Sequence, residues 1–224
     1  MMGDLFGDKA DPEAQTRIKI CGITNAADAE AAIDAGTDAL GFNFFAGSAR
    51  YIDMQSAKEW ITELPTHVRR VGVLVNPTLE ESINVARSGF IDALQLHGDE
   101  SPSFCQKLAD RGIVFAKAVG VRDERSLRNL PSFFTTTLLL DSHSAHFGGS
   151  GESFPWILAT EFVQQHPDFK VILAGGLTPR NVEQAIRAVH PFAVDVTSGV
   201  EASPGRKDIA RIRAFIEAVR QLSA

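Results

Sequence analysis

The sequence predicts an α/β protein that consists of a single-domain (β/α)8 TIM barrel. Eight short apolar segments are spaced along the chain, helix-like stretches follow them, and no Pro- or Ser-rich linker divides the chain. A length of 224 residues suits one barrel of this kind. The alternative, a doubly wound open sheet, is less favoured because no GxGxxG motif follows the first apolar segment.

The predicted strands are rich in Val, Ile, Leu or Phe, as expected of strands that are buried on both faces. In chain order they cover residues 17–21, 39–44, 70–75, 93–96, 114–119, 137–141, 170–174 and 193–197. A helix is predicted after each strand. Thr78 with Glu81 predicts a capping box, and Thr178 with Pro179 predicts the start of another helix.

Composition and charge exclude several classes of function. The net charge of −6 argues against nucleic acid as a partner, since phosphate backbones require basic surfaces. No segment reaches the ~20 apolar residues of a membrane span, and no leader pattern opens the chain. Cys21 and Cys105 lie in different settings and do not indicate a disulfide, so we expect reduced thiols in a cytoplasmic protein.

The chain is predicted to be one domain with an N-terminal extension. Residues 1–16 are polar and aperiodic, so we expect them to be flexible, and we expect residues 17–224 to form the barrel. No apolar stripe stands out beyond the predicted core. We therefore expect a monomer.

Polar residues and glycines follow the ends of the apolar strands, where barrels of this kind have their active sites. A polar loop explains any one of them, but not a lone thiol and a lone carboxylate that both end apolar strands. We therefore predict one site from the residues at these positions, which are Cys21, Asn43, Asn76, Gln95, His97, Asp141, Gly175, Gly176, Asp195, Ser198 and Gly199.

Cys21 ends the first strand and precedes a glycine turn into a helix. A free cysteine is usually a small buried hydrophobic residue, and Cys105 fits that description within its helix. At the end of a strand, nearby donors or cations would instead supply a reactive thiolate. Lys19 lies deeper on the same face of this strand, and the sequence leaves open whether it pairs with Asp195 or acts as a reagent.

Asp141 ends a strand of three leucines, where an unpaired carboxylate is costly. Its surroundings could keep it partly protonated, as a general acid requires, or it could cap the amides of its own turn. The glycine-rich loop after it, residues 142–151, is expected to close over a ligand. The histidines His97, His143 and His146 match no metal-ligand spacing, so no metal is predicted.

The turns after strands seven and eight predict a phosphate site. The pairs Gly175-Gly176 and Ser198-Gly199 allow close approach of the backbone, and helix N-termini direct N–H groups at an anion. One tight turn alone would not indicate a phosphate site, but two such turns at the same edge of the barrel favour one. Asp195 lies in the eighth strand, two residues before its predicted end, and is expected to contact the substrate.

Arg50 lies in the loop after the second strand, where its guanidinium could bind a substrate carboxylate through two parallel hydrogen bonds. A lone arginine in a loop is more often a solvated charge. Local chemistry alone therefore leaves the role of Arg50 open.

Seven motifs, in order, resemble those of the phosphoribosylanthranilate isomerase family. They are KICGIT at 19–24, GFNFFAGSARYI at 41–52, VGVLVN at 71–76, LQLHGDE at 94–100, LLLD with GGSG within 138–151, LAGGLTPRNV at 173–182 and VDVTSGVEASPGRKD at 194–208. The resemblance covers nearly all residues from Arg17 onward. Ala49 stands where the family often has proline, and GGSG stands where it usually has GGTG; both changes affect loop stiffness more than chemistry.

The resemblance implies a barrel isomerase without a cofactor. The family converts N-(5-phosphoribosyl)anthranilate to 1-(2-carboxyphenylamino)-1-deoxyribulose 5-phosphate, an Amadori rearrangement in tryptophan biosynthesis. Carried over to this chain, Cys21 is the general base, Asp141 is the general acid and Arg50 holds the anthranilate carboxylate. The implied phosphate ligands are Gly175, Gly176, Ser198 and Gly199.

Two other functions are weighed against this one. An isomerase that serves both histidine and tryptophan synthesis resembles a barrel with aspartates at both the acid and the base position, and Cys21 argues against it. A non-catalytic protein that binds a phosphorylated ligand is the second alternative. The presence of both Cys21 and Asp141 argues against that alternative without refuting it.

Overall fold

A computed structural model describes residues 5–7, 15–128, 130–142 and 156–223. Within this part of the chain, eight parallel strands close into a barrel in sequence order, because β8 pairs with β1. The strands are β1 Arg17–Cys21, β2 Ala39–Asn43, β3 Arg69–Leu74, β4 Ala93–Leu96, β5 Phe115–Val121, β6 Thr137–Ser142, β7 Lys170–Leu173 and β8 Ala193–Val196. All eight predicted strands are therefore confirmed, with ends that shift by at most two residues.

Helices cover the outside of the barrel. They are α1 Ala26–Asp34, α2 Met54–Thr62, α3 Leu79–Ala86, α4 Pro102–Ala109, α5 Trp156–Gln165, α6 Val182–Val189 and α7 Ile209–Arg220. The capping box of α3 is confirmed, since Thr78 and Glu81 bind each other's backbone N–H groups. None of the helices in the described part of the chain is long and apolar enough to cross a membrane.

Two of the helix predictions were wrong. The connection after β5 contains two short 3-10 helices, Glu124–Leu127 and Leu130–Phe133, in place of an α-helix. Pro131 in the second of them lacks the backbone N–H that an α-helix interior needs. Helix α6 begins at Val182 and not after Thr178, because the Thr178 N–H donates to the side chain of Asn181 and closes a separate turn.

A short antiparallel hairpin, which the sequence pattern did not predict, lies between β8 and α7. Its strands are β9 Glu201–Ser203 and β10 Arg206–Lys207. The hairpin follows the carboxyl end of β8, so it stands at the same edge of the barrel as the end of β1. This position brings its charged residues to the predicted site.

The part of the N-terminal segment that the structure describes packs against the barrel. Leu5 is fully buried and Phe6 nearly so, in a cluster with alanines and aliphatic residues of the barrel interior. The Arg69 guanidinium donates to the Leu5 carbonyl, and the rings of Phe6 and Phe192 meet edge to face. Because Arg69 begins β3 and Phe192 precedes β8, this contact lies at the end of the barrel opposite the site. Residues 1–4 and 8–14 lie outside the described residues.

Candidate active site

One cavity of about 230 Å³ lies at the carboxyl ends of the strands. Alternate residues of a strand share a face, so the last inward residues of several strands meet there. The predicted site residues that line the cavity are Cys21, Asn43, Arg50, Gln95, His97, Asp141, Gly175, Gly176, Asp195 and Ser198, whereas Asn76 does not line it. A polar, concave site is therefore formed by residues that are far apart in the sequence.

Cys21 ends β1 and is buried at the wall of the cavity. Its sulfur and the Nζ of Lys19 both crowd the neighbouring Gly41 of β2. A Cβ on Gly41 would lie only 2.6 Å from the Cys21 Sγ and 2.9 Å from the Lys19 Nζ. Glycine at position 41 therefore leaves the space in which the thiol and the ammonium come together.

Lys19 is fully buried and donates to Asp195 Oδ1 over 2.9 Å. Burial alone would lower the pKa of this ammonium, but the charge and hydrogen bond of Asp195, together with Cys21, outweigh burial and hold the pKa above its usual value. The sequence left the role of Lys19 open. The structure shows that it is the ion-pair partner of Asp195.

Lys207 of β10 reaches the opposite side of Cys21. Its Nζ donates to the Cys21 carbonyl over 2.6 Å, to the Thr197 carbonyl over 3.2 Å and to Glu201 Oε1 over 3.1 Å. Burial lowers the pKa of Lys207, and the attraction of Glu201 offsets only part of that effect. The hairpin thus joins the end of β1 to the end of β8.

Arg50 is held by Glu201 through two hydrogen bonds. Its Nε donates to Oε1 over 3.1 Å, and its Nη2 donates to Oε2 over 2.8 Å. The hydrogen bonds to Glu201 raise the pKa of Arg50 despite burial. Burial would raise the pKa of Glu201, but Arg50 and Lys207 together lower it. One edge of the guanidinium is thereby fixed, while Nη1 and the second N–H of Nη2 are not used in this pair.

Asp141 ends the apolar part of β6 and is buried at the cavity wall. Its Oδ1 accepts the Ser142 backbone N–H over 2.7 Å, so it caps its own turn. Its Oδ2 lies 3.4 Å from His97 Nε2, and Nδ1 of that ring lies 2.7 Å from the Gln95 Nε2. Gln95 and Asp141 therefore contact the two ring nitrogens of His97, and the tautomer of the ring depends on which way the Gln95 amide is turned.

Gly175 makes room for this carboxylate. Its φ is +83°, in the left-handed region that favours glycine. A Cβ at this position would lie 2.9 Å from Asp141 Oδ1 and 2.5 Å from the Ser142 nitrogen. Any larger residue at position 175 would therefore displace the end of β6.

The sequence matches a family model described as N-(5'phosphoribosyl)anthranilate (PRA) isomerase over residues 18–218. The chain belongs to this isomerase family. It is similar to the N-(5'-phosphoribosyl)anthranilate isomerase of Thermotoga neapolitana, with 45% identity over 207 residues, which are 92% of this chain and 99% of the relative.

Solved structures of the isomerase family superpose on this chain. A phosphoribosyl anthranilate isomerase in complex with reduced 1-(o-carboxyphenylamino)-1-deoxyribulose 5-phosphate has a TM-score of 0.81 and 42% identity, and the match covers 92% of this chain and 99% of that one. Monomers made from the dimeric enzyme of Thermotoga maritima have the same TM-score, identity and coverage. The family assignment and the barrel fold therefore agree.

The cavity of this family member includes all but one of the eight residues predicted to act in catalysis or substrate binding. Gly199 is not part of its lining; it lies in a 3-10 turn, Ser198–Val200, packed on the Leu177 carbonyl. His143, His146 and most of the glycine-rich loop lie outside the described residues. Among the described residues, no group of three or more His, Cys, Asp or Glu side chains could hold a metal ion.

Sequence reasoning missed the roles of three side chains at this site. His97 was predicted to lie at the site, but the only role weighed for it was that of a metal ligand, and the structure shows that it faces Asp141. Glu201 and Lys207 are buried in the ion-pair network beneath Cys21 and Arg50, although nothing in their segment distinguishes them from solvated loop charges. The only local signal was that a charged segment followed the last predicted strand so closely.

Proposed function

We propose that Cys21 and Asp141 are the general base and the general acid of this isomerase, which converts N-(5-phosphoribosyl)anthranilate to 1-(2-carboxyphenylamino)-1-deoxyribulose 5-phosphate in tryptophan biosynthesis. The observation that carries these roles is that a thiol on β1 and a carboxyl on β6 line the same cavity. Acid–base isomerisation needs two titratable groups that reach different atoms of one bound substrate.

Asp141 acts first, as a proton donor. It gives its proton to the ring oxygen of the ribose, the bond between that oxygen and C1′ breaks, and the anthranilate nitrogen becomes an iminium. His97 Nε2 lies 3.4 Å from Oδ2 of the carboxylate that this step produces. A donor in this position stabilises the negative charge left on Asp141 after the proton has gone.

Cys21 acts next, as a base on carbon. The iminium acidifies the C2′ proton, the thiolate removes it, and the electron pair moves into a C1′–C2′ double bond and neutralises the nitrogen. The resulting enolamine loses its hydroxyl proton and gains a proton at C1′, which gives the ketone. The thiol forms no bond to carbon in this sequence, so no covalent intermediate is expected.

Arg50 binds the anthranilate carboxylate in this proposal. Glu201 occupies the Nε edge of the guanidinium and leaves N–H groups on both Nη1 and Nη2 for the substrate. A planar fork held by a buried carboxylate is pre-organised for two parallel hydrogen bonds. The side chain of Arg50 has therefore already lost its conformational entropy on folding, and binding of the substrate does not have to order it.

The phosphate group is assigned to the turns after β7 and β8. Gly175, Gly176 and Ser198 line the cavity on that side. A role for Gly199 rests on its backbone alone, since it has no side chain and lies beside Ser198 in the same turn. Asp195 is paired with Lys19, so its proposed contact with the substrate would use the oxygen that the ammonium leaves available.

The test is a fluorescence assay that follows consumption of the anthranilate adduct by the purified chain. We expect Cys21→Ala and Asp141→Asn each to lower kcat by about 10²–10⁴-fold, the usual contribution of a general acid or base. Cys105→Ala, a buried cysteine within α4, and Asp99→Asn, an exposed carboxylate, are the matched controls and retain activity. Turnover by Cys21→Ala or Asp141→Asn close to that of its control would overturn the assigned roles.

A cytoplasmic monomer stays a proposal. Cys21 and Cys105 are both free, which fits a reducing compartment. The enzyme of Thermotoga maritima is dimeric, so the oligomeric state of this chain has to be measured. Light scattering coupled to size-exclusion chromatography distinguishes a monomer from a dimer, and a mass of twice 24.3 kDa would contradict the monomer.

A further inference from the structure

A fully buried lysine beside the thiol has no role in the chemistry described so far. Lys19 lies on the same face of β1 as Cys21, and both side chains border the space above Gly41. An ammonium in the interior of a barrel is costly unless it is paired. Asp195 pairs with it, and the charge of Cys21 also acts to raise its pKa.

The cations around Cys21 outnumber the carboxylates that form ion pairs with them. Three cations lie next to the end of β1 that carries Cys21. The Lys19 Nζ shares the space above Gly41 with the sulfur, the Lys207 Nζ donates to the Cys21 carbonyl, and the Arg50 side chain lies beside Gly22. Only two carboxylates are paired with these cations in the described part of the chain, and they are Asp195 and Glu201. Arg50 and Lys207 share one carboxylate, Glu201, so a thiolate at Cys21 would give these cations a further negative partner.

Other titratable groups face this region from the remaining elements. Asp28 in the first turn of α1 binds the backbone N–H of Lys207, where the helix N-terminus also favours a negative charge. Asp141 and His97 face each other on β6 and after β4. The side chains that raise the pKa of Lys19 are those of Asp195 and Cys21.

The three cations have different tasks. Arg50 is committed to Glu201 and, in the proposed function, to the substrate carboxylate. Lys207 is committed to backbone carbonyls, including that of Cys21 itself. Lys19 is the cation whose Nζ shares the space above Gly41 with the sulfur.

We propose that Lys19 is a positioning residue that keeps Cys21 as a thiolate, and that Asp195 holds the Lys19 ammonium against the sulfur. The inference deepens the proposed function, on which it rests, because only the thiolate can remove the C2′ proton. It also explains why Lys19 must be buried, since a charge excluded from water acts on its neighbour with little screening.

The test is a pH titration of thiolate absorbance in the far ultraviolet on the full chain without substrate. The wild-type chain is expected to show a thiolate at neutral pH that Cys21→Ser lacks. Cys105 does not interfere, because burial raises the pKa of its thiol to about 11. In Lys19→Met the Cys21 step is expected to move up by about 1–3 pH units, as follows from loss of an opposite charge ~4–6 Å away.

Lys117→Met is the matched control. Lys117 is likewise buried in the barrel and paired with a buried carboxylate, Glu100, over 2.9 Å, but it lies on β5. Its loss is expected to lower stability as much as the loss of Lys19 and to leave the Cys21 titration unchanged. A purely structural role of Lys19 predicts the same result for both variants.

Lys19→Gln covers the case in which Lys19→Met does not fold, because the amide can still donate to Asp195 without carrying charge. The alkylation rate of Cys21 by iodoacetamide at neutral pH is a second readout, expected to fall at least about tenfold in either folded variant. The proposal is overturned if a folded Lys19 variant keeps the wild-type titration, or if the wild-type chain shows no Cys21 thiolate at neutral pH.

The two proposals fail separately. A chain that shows the Lys19-dependent thiolate but does not turn over the phosphoribosyl substrate retains the inference and loses the proposed function. A chain that turns the substrate over with a Cys21 titration independent of Lys19 loses only the inference.

Discussion

Leu5 provides a test of whether the N-terminal segment belongs to the folded barrel. Replacing a fully buried leucine by alanine usually costs about 2–5 kcal/mol. Here the loss has a ceiling, because a segment held by a few contacts can detach while the barrel stays folded. The largest loss of stability that Leu5→Ala can cause is the free energy that holds the segment on the barrel.

The docking free energy follows from the contacts of residues 5–7. Burial of Leu5 and Phe6 contributes about 1.5–3 kcal/mol each, and the hydrogen bond from Arg69 adds about 1 kcal/mol. Ordering three residues opposes this by roughly 1–2 kcal/mol each. The balance is about 1 kcal/mol, so Leu5→Ala is expected to lower the free energy of unfolding by about that amount.

Urea unfolding followed by circular dichroism measures this loss. The matched control is Ile157→Ala, since Ile157 is 60% exposed on α5 and its truncation should change stability by less than about 0.5 kcal/mol. Activity should be unchanged in both variants, because neither residue lines the cavity. Equal urea midpoints for Leu5→Ala and Ile157→Ala would show that Leu5 is not seated in the barrel, and the reasoning would fail.

Three further outcomes are expected. His97→Asn should lower kcat about tenfold with little change in KM, a factor that corresponds to roughly 1.4 kcal/mol, because the Nε2 that lies 3.4 Å from Asp141 Oδ2 is lost. An unchanged kcat in steady-state assays would contradict this. Glu201→Gln should raise KM more than it lowers kcat, because the Arg50 fork loses a charged partner, whereas exposed Glu183→Gln should change neither. The third outcome concerns pH: burial raises the pKa of Cys105 from 9.0 to about 11, so stability is fully present below pH 9.0 and is lost as the pH rises through about 11. Urea midpoints should therefore fall less steeply over this range in Cys105→Ala, and parallel curves would refute the assignment.

The parts of the molecule that were predictable carry local signals. Each barrel strand is a short apolar run, and a polar residue at its end marks the edge where the site lies. Cys21 and Asp141 stood out because each interrupts such a run. The capping box of α3 needs only Thr78 and Glu81 at a fixed spacing, so it too could be found from the sequence.

The parts that were not predictable depend on contacts between distant residues. Lys207 is 186 residues from Cys21, and Glu201 is 151 residues from Arg50, so no local periodicity relates them. Two apolar residues, Leu5 and Phe6, within a polar segment are too few to show a helical or strand period. The short 3-10 helices after β5 also lack a repeat long enough to distinguish them from an α-helix.

The most direct test of the central claim, that Cys21 removes the C2′ proton, is a single-turnover measurement with substrate carrying either protium or deuterium at C2′. Cys21→Ser preserves the shape of the residue but supplies no thiolate. The account predicts that this variant slows the step by at least about 10²-fold and shows a primary isotope effect no smaller than that of the wild-type chain. A rate for Cys21→Ser within a few-fold of wild type would contradict it.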